Sequence, residues 1–134
     1  MPNVTESQPA DSSKQHQAFG AKYGPLGFAV ITFSDSRNEE TDTSGRFIRD
    51  AVTQAGHRVA RYSIVTDSPD QIRSQIEAAI GDPSVAVIVT NGSTGIAARD
   101  NAYDVIAALL DKRLVGFGEL FRMLSWEQVG AAAM

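Results

Sequence analysis

The sequence predicts an α/β fold, a three-layer sandwich built on a mostly parallel central sheet. Three observations predict it. Phe28–Phe33, apolar but for Thr32, and Val85–Val89 are short apolar runs, the pattern of strands buried on both faces. Apolar residues at helical spacing follow each strand, and strand alternating with helix calls for right-handed crossovers between parallel neighbours. A length of 134 residues, 43% of them hydrophobic, suits one compact domain with a single core.

The elements follow in order. Residues 1–24 are set apart, because Met1 to about Lys22 is polar, with scattered Ser, Gln and Pro and no helical or strand periodicity. That composition reads as a disordered tail, and residues 25–134 form the domain. The first strand is the Phe28–Phe33 run. After a polar loop from Ser34 to Thr43, Phe47, Ile48, Ala51, Val52 and Ala55 recur at helical spacing, and Gly56 stops the first helix, expected over Ser44–Ala55. Val59–Val65 alternates partially and reads as a second, more exposed strand. Ser68-Pro69-Asp70-Gln71 has the form of a capping box with Pro at the first helical position. Ile72, Ile76, Ala79 and Ile80 give the helix that follows a buried stripe, ended by Gly81-Asp82-Pro83. The third strand, Val85–Val89, leads through the small-residue turn Asn91-Gly92-Ser93-Thr94-Gly95 to a helix over Asn101–Leu110. A shorter helix runs from about Glu119 to Val129, where Phe121, Met123, Leu124 and Trp126 suit a core or subunit contact.

Composition narrows the function. Cysteine is absent, which removes disulfides and cysteine-ligated zinc or iron–sulfur sites, so any metal is bound by oxygen. No apolar stretch is long enough to span a membrane, and no basic start precedes an apolar block, so a cytoplasmic protein without a membrane partner is expected. Twelve Lys plus Arg against sixteen Asp plus Glu give a net charge of −4. Without a basic run interleaved with aromatics, a nucleic-acid partner has no electrostatic footprint.

In an open parallel sheet, ligands bind beyond the carboxyl ends of the strands, where loops converge and helix N-termini present N–H groups. Three segments lie there: Ser34-Asp35-Ser36-Arg37, Thr66-Asp67-Ser68, and Thr90 through Asp100. In the last, Gly92 and Gly95 let the backbone approach a ligand while Ser93 and Thr94 add hydroxyl donors. Such a turn also serves any α/β protein as a connection, and neither a P-loop nor a dinucleotide fingerprint is present. Asp67 and Asp100 flank the crevice. A carboxylate pair there suits Mg²⁺ carried on a nucleotide's phosphates; the plainer roles are for Asp100 to cap the third helix and for Asp67 to satisfy loop N–H groups beside the Ser68 cap. Arg99 could meet a phosphate or stand in solvent, and His57 reads as a turn residue after Gly56. His16 lies in the tail, no two-histidine metal site is indicated, and no serine has the partners of a triad.

Read together and in order, five segments carry a resemblance: FAVITFSDSR in the first strand, Asp42-Thr43-Ser44-Gly45, Val65-Thr66-Asp67, VIVTNGSTGIAARD, and Gly116-Phe117-Gly118-Glu119 with Phe121-Arg122. From about Gly27 to Gly130 the chain resembles the molybdenum cofactor biosynthesis protein B and molybdopterin adenylyltransferase family. The resemblance implies a molybdopterin-binding domain, usually trimeric, that works with other cofactor-assembly proteins. It implies AMP transfer from Mg²⁺-ATP to the terminal phosphate of molybdopterin with release of pyrophosphate, molybdate insertion following. By the resemblance, the acidic catalytic positions fall on Asp67 and Asp100, the pterin loop on Asn91, Gly92, Ser93, Thr94 and Gly95, and a further ligand segment on Gly116, Gly118 and Glu119. Two departures are visible. Asn91-Gly92-Ser93 stands where the family has Thr-Gly-Gly, and a positive φ at Ser93 would cost about 1 kcal/mol or more. The family also continues past Met134 with another strand, a Pro-Gly loop and a helix, so the C-terminal part of the domain is expected to be missing here. The intact pair of Asp67 and Asp100 favours the transferase, whereas these departures favour the alternative, a non-catalytic molybdopterin-binding or scaffold paralogue.

Overall fold

A computed structural model of the chain describes residues 9–95, 97 and 100–133. Helix α1 spans Pro9–Ala21, β1 Gly27–Phe33, α2 Thr43–Gln54, β2 Arg58–Val65, α3 Pro69–Ile80, β3 Val87–Gly92, α4 Ala102–Leu109 and α5 Val115–Val129, and a 3₁₀ turn covers Gly130–Ala133.

The three strands form one parallel sheet in the order β2-β1-β3. The chain steps from β1 to one side through α2, then crosses back over β1 through α3 to β3. With right-handed crossovers, this reversal puts α2 and α3 on opposite faces. Side-chain burial agrees. Ala29, Ile31 and Phe33 of β1 pack with Val65 and with Ile72, Ile76 and Ala79 of α3 and Ala102 and Val105 of α4. Their alternating neighbours Val30 and Thr32 are buried too, and face the side of Val52 and Gly45 on α2. The layers are therefore α2, the sheet, and α3 with α4. As expected of a strand covered on both faces, β1 is buried almost throughout, and β2 is more exposed.

Several boundaries differ from the sequence expectation. Strand β3 begins two residues later than Val85, because Asp82 builds a turn: Ser84 donates to it through both N–H and Oγ, and the Val85 N–H bonds the Asp82 carbonyl. The strand continues through Asn91 and Gly92, which pair with Thr32 and Phe33 rather than turning away. Ser68 precedes α3 in extended conformation with Pro69 at its first position, but its side chain makes no cap bond. The Ser68 carbonyl takes the Ile72 N–H instead. Of the expected α3 stripe, Ile80 is exposed.

At the ends of the chain the corrections are larger. Over Pro9–Ala21 the structure has helix α1 where a tail without regular structure was expected. Its described side chains are all exposed, so it lacks the apolar stripe that marks a packed helix. Helix α5 starts four residues before Glu119 and takes in Gly116 and Gly118. Phe121, Met123, Leu124 and Trp126 are exposed on it, outside the core of this chain. No helix among the described residues is long and apolar enough to cross a membrane.

Candidate functional site

The loops after all three strands meet at one edge of the sheet. Ser34 N–H, just past β1, bonds the Val65 carbonyl at 2.9 Å, and Asp67 N–H donates to Asp35 Oδ1 at 2.9 Å. The Asp67 carboxylate then reaches over the end of β1 toward the other side. Its Oδ2 accepts the Ser93 hydroxyl at 2.8 Å, and its Oδ1 the Asn101 N–H at 3.2 Å. Ser93 Oγ in turn accepts the Ala102 N–H at 3.3 Å. Asp67 and Ser93 together occupy donors at the N-terminus of α4, where a negative group is favoured.

Two glycine positions are required by this packing. Gly92 has φ +87°, and an added Cβ would strike the Phe33 carbonyl of the paired strand. At Gly95, a Cβ would meet the Asp100 carboxylate. Asp100 folds the turn on itself, its Oδ2 accepting the Ala97 N–H at 3.0 Å and its own N–H bonding the Ala97 carbonyl. Ser93 adopts φ +50°, the left-handed conformation that a glycine would take without penalty.

A cavity of about 910 Å³ opens beside this turn. Asn91 through Gly95, Asp100 and Asn101 line it from the loop, and Tyr103, Ile106 and Arg113 from α4 and beyond. It lies at the switch point between β1 and β3, from which the chain departs to opposite faces, the place where such sheets bind ligands. Asp67 does not line the cavity; it stands one hydrogen bond behind Ser93. Thus Asp67, Asp100 and residues 91–95 come together at this edge. Gly116, Gly118 and Glu119 are not brought to it: they lie in the first turn and a half of α5 and line no part of the cavity. Arg99 lies outside the described residues.

On the α2 face of the sheet, beneath the turn, sits a buried charge that sequence reasoning did not single out. Asp42, the N-cap of α2, is fully buried and accepts Gly45 N–H at 3.0 Å, Thr32 Oγ1 at 2.7 Å and Tyr62 OH at 2.6 Å. Burial pushes its carboxyl up, but the bonds from Tyr62, Thr32 and Gly45 and the charge of Arg37 outweigh that and hold the pKa below the ordinary aspartate value. Burial and the bond to Asp42 push the Tyr62 phenol up to about 12. Arg49 covers the Tyr62 ring at 3.9 Å. Arg113, which donates to Tyr103 OH at 3.2 Å and lines the cavity, was given no role by the sequence. His57 accepts the Leu26 N–H at 3.1 Å and packs on Phe28, a structural role at the opposite edge.

Residues 29–134 match the family described as "Probable molybdopterin binding domain". The chain belongs to this molybdopterin-binding domain family, which includes molybdenum cofactor biosynthesis protein B. Relatives of that name are 46% identical over 106 residues in Bacillus cereus and 40% identical over 110 residues in Escherichia coli K12. The matches cover 78% and 82% of this chain. They cover 63% and 65% of the relatives, so the chain spans a little under two thirds of the curated proteins it matches. A crystal structure of a molybdenum cofactor biosynthesis protein B superimposes with a TM-score of 0.78 at 43% identity, covering 82% of this chain and 69% of that one. The molybdopterin biosynthesis enzyme MoaB from Thermus thermophilus gives 0.69 at 29% identity, with 81% and 69% covered.

The donor set suits oxygen-seeking cations. Among the described residues no group of three or more His, Cys, Asp or Glu side chains is gathered as a metal site. Mg²⁺ takes one or two carboxylates and completes its shell with phosphate oxygens and water. Each Asp67 oxygen accepts one hydrogen bond and Asp100 Oδ2 accepts one from the Ala97 N–H, so both carboxylates keep lone pairs that a cation could use.

Proposed function

We propose that this molybdopterin-binding domain acts in molybdenum cofactor biosynthesis, transferring AMP from Mg²⁺-ATP to the terminal phosphate of molybdopterin. One observation carries the reading: Asp67, the Asn91–Gly95 turn and the start of α4 are tied together beside a cavity of about 910 Å³ at the sheet's switch point. In the reaction, a phosphate oxygen of molybdopterin attacks the α-phosphorus of ATP. The bond from that phosphorus to the bridging oxygen breaks, and pyrophosphate leaves with the electron pair. Most of the rate comes from positioning and charge neutralisation, and no covalent enzyme intermediate is needed.

The chain's own groups divide the work. N–H groups and hydroxyls of Gly92 to Gly95 hold the pterin and its phosphate. Asp67 and Asp100 are the groups that would hold the Mg²⁺ arriving with the nucleotide, which supplies positive charge against the phosphates. Arg113 stands at the cavity with a cation for a phosphate oxygen. The setting is the cytoplasm. The exposed apolar side chains of α5, among them Phe117, Phe121 and Trp126, suit a contact within a homotrimer or larger oligomer, or with another cofactor-assembly protein.

A non-catalytic, molybdopterin-binding or scaffold role has one observation in its favour: Ser93 stands between Asp67 and the cavity. Pyrophosphate release from ATP and Mg²⁺, with and without molybdopterin, separates the two. Molybdopterin-dependent release supports the transferase; binding of molybdopterin without release supports the scaffold.

A further inference from the structure

The α4 wall of the cavity carries a cation held by a phenol. Tyr103, Ile106, Ala107 and Leu110 recur at helical spacing on one side of α4 and line the cavity, while Ala102 and Val105 pack into the core. Leu110 leaves the helix in extended conformation, and Arg113, in the connection to α5, reaches back to the first turn of α4. Its Nη1 donates to Tyr103 OH at 3.2 Å, and its Cζ lies 5.8 Å from the centre of the Tyr103 ring. Among the described residues that line the cavity, Arg113 is the one Lys or Arg, and Asp100 and Asp104 are the acids.

The bond between the two side chains sorts what each has left to offer. A guanidinium has several N–H donors in a rigid fork and no acceptor. One donor goes to Tyr103, and among the described residues the others meet no acceptor. Tyr103 OH already accepts from Arg113, so its own proton is what it has left to give, and that proton meets no acceptor among the described residues either. Donors side by side, one of them on a full positive charge, fit an oxygen anion with several acceptor atoms.

We propose that Tyr103 and Arg113 form a phosphate-recognition pair that works without the metal, with Arg113 binding the phosphate of molybdopterin and Tyr103 positioning the guanidinium and donating beside it. The inference rests on the molybdopterin reading above and deepens it. Two anions must meet in an AMP transfer, and the nucleotide brings Mg²⁺ for its own phosphates. The phosphate that arrives bare needs a cation from the chain. In a cavity that also carries Asp100 and Asp104, Arg113 supplies it. The carboxylates of the loops and the pair on α4 thus neutralise separate charges.

The test measures affinity by calorimetry for molybdopterin and its dephosphorylated form, both in EDTA, and for Mg²⁺-ATP. The unaltered chain is compared with Arg113→Gln, Tyr103→Phe and the double variant. Both side chains are exposed, so the variants should melt as the unaltered chain does. Molybdopterin binding is expected to weaken about tenfold or more in Arg113→Gln and about threefold in Tyr103→Phe, with the dephosphorylated form unaffected in both. The double variant should lose less than the product of the single losses, because Tyr103 acts partly through Arg113. Equal losses for the two pterins, or none, would overturn the proposal, and a loss confined to Mg²⁺-ATP would overturn it by giving the pair to the nucleotide. Inorganic pyrophosphate, titrated in EDTA and followed on the Arg113 Nε–H signal in ¹⁵N-edited spectra, tests the pair apart from the functional reading. A shift of that signal in a chain that binds no molybdopterin supports the anion pair and sinks the functional reading. An unmoved signal overturns the pair.

Discussion

The Ser93 hydroxyl donates to the Asp67 carboxylate at 2.8 Å, closing a bond between loops that follow the two outer strands of the sheet. Ser93 holds a left-handed backbone to do so, with φ at +50°. Replacing it by glycine relieves that strain, worth about 1 kcal/mol, and removes bonds to Asp67 and from Ala102 worth about 2 kcal/mol together. Ser93→Gly is expected to lower stability by about 1 kcal/mol in urea unfolding. It also uncovers Asp67 toward the cavity, so Mn²⁺ binding followed by paramagnetic resonance should strengthen. Weaker cation binding in the variant would show that the hydroxyl supports Asp67 rather than screening it.

Asp67→Asn and Asp100→Asn keep the shape of each side chain and remove the charge. Both are expected to cut molybdopterin-dependent pyrophosphate release by about a hundredfold or more, the scale for removing one group that stabilises developing charge. Asp100→Asn should leave the melting temperature nearly unchanged. A large fall in melting temperature with normal turnover would instead make Asp100 a structural turn residue, as its bond to Ala97 alone would suggest.

Gly92→Ala is a test of fold rather than chemistry. With φ at +87° and the Phe33 carbonyl in the way of a Cβ, alanine is expected to cost about 2–4 kcal/mol, from backbone strain plus overpacking between β1 and β3. Denaturant unfolding measures it, and a loss below about 0.5 kcal/mol, the scatter for neutral surface changes, would contradict the packing described.

The fold was legible where one segment settles its own structure. The β1 run, the alternation of strands with helices and the crevice beyond Asp67 and Gly92 follow from local pattern and from the rule for parallel sheets. What was not legible depends on distant partners. Asp42 is 10 residues from Thr32 and 20 from Tyr62, and Asn91 is 59 from Thr32. Nothing in the local sequence marks Asp42 as more than a helix cap. Helix α1 has good helix formers such as Ala, Lys and Gln but no apolar stripe, and periodicity detects only a helix that packs. In α5, Gly116 and Gly118 lie before the expected start at Glu119, yet each disfavours a helix by only about 1 kcal/mol and both are helical.

The Asp42–Tyr62 pair gives a pH dependence. The Tyr62 pKa is raised in the folded state, so its contribution is complete below pH 10, the unfolded value, and is lost as pH rises toward about 12. The Asp42 pKa is lowered, so its contribution is complete above the ordinary aspartate value and is lost as pH falls through the folded one. Unfolding free energy should therefore decline above pH 10, and Tyr62→Phe should flatten that decline and, by removing one of the bonds that lower the Asp42 pKa, reduce the acid limb without abolishing it. An alkaline slope unchanged in Tyr62→Phe would assign it to other groups.

The most direct measurement is pyrophosphate release by the unaltered chain from ATP and Mg²⁺ with purified molybdopterin, with Asp67→Asn alongside. The account predicts release that requires molybdopterin and falls by about a hundredfold or more in the variant. Release that is absent, or equal in the two proteins, would contradict a transferase built on Asp67.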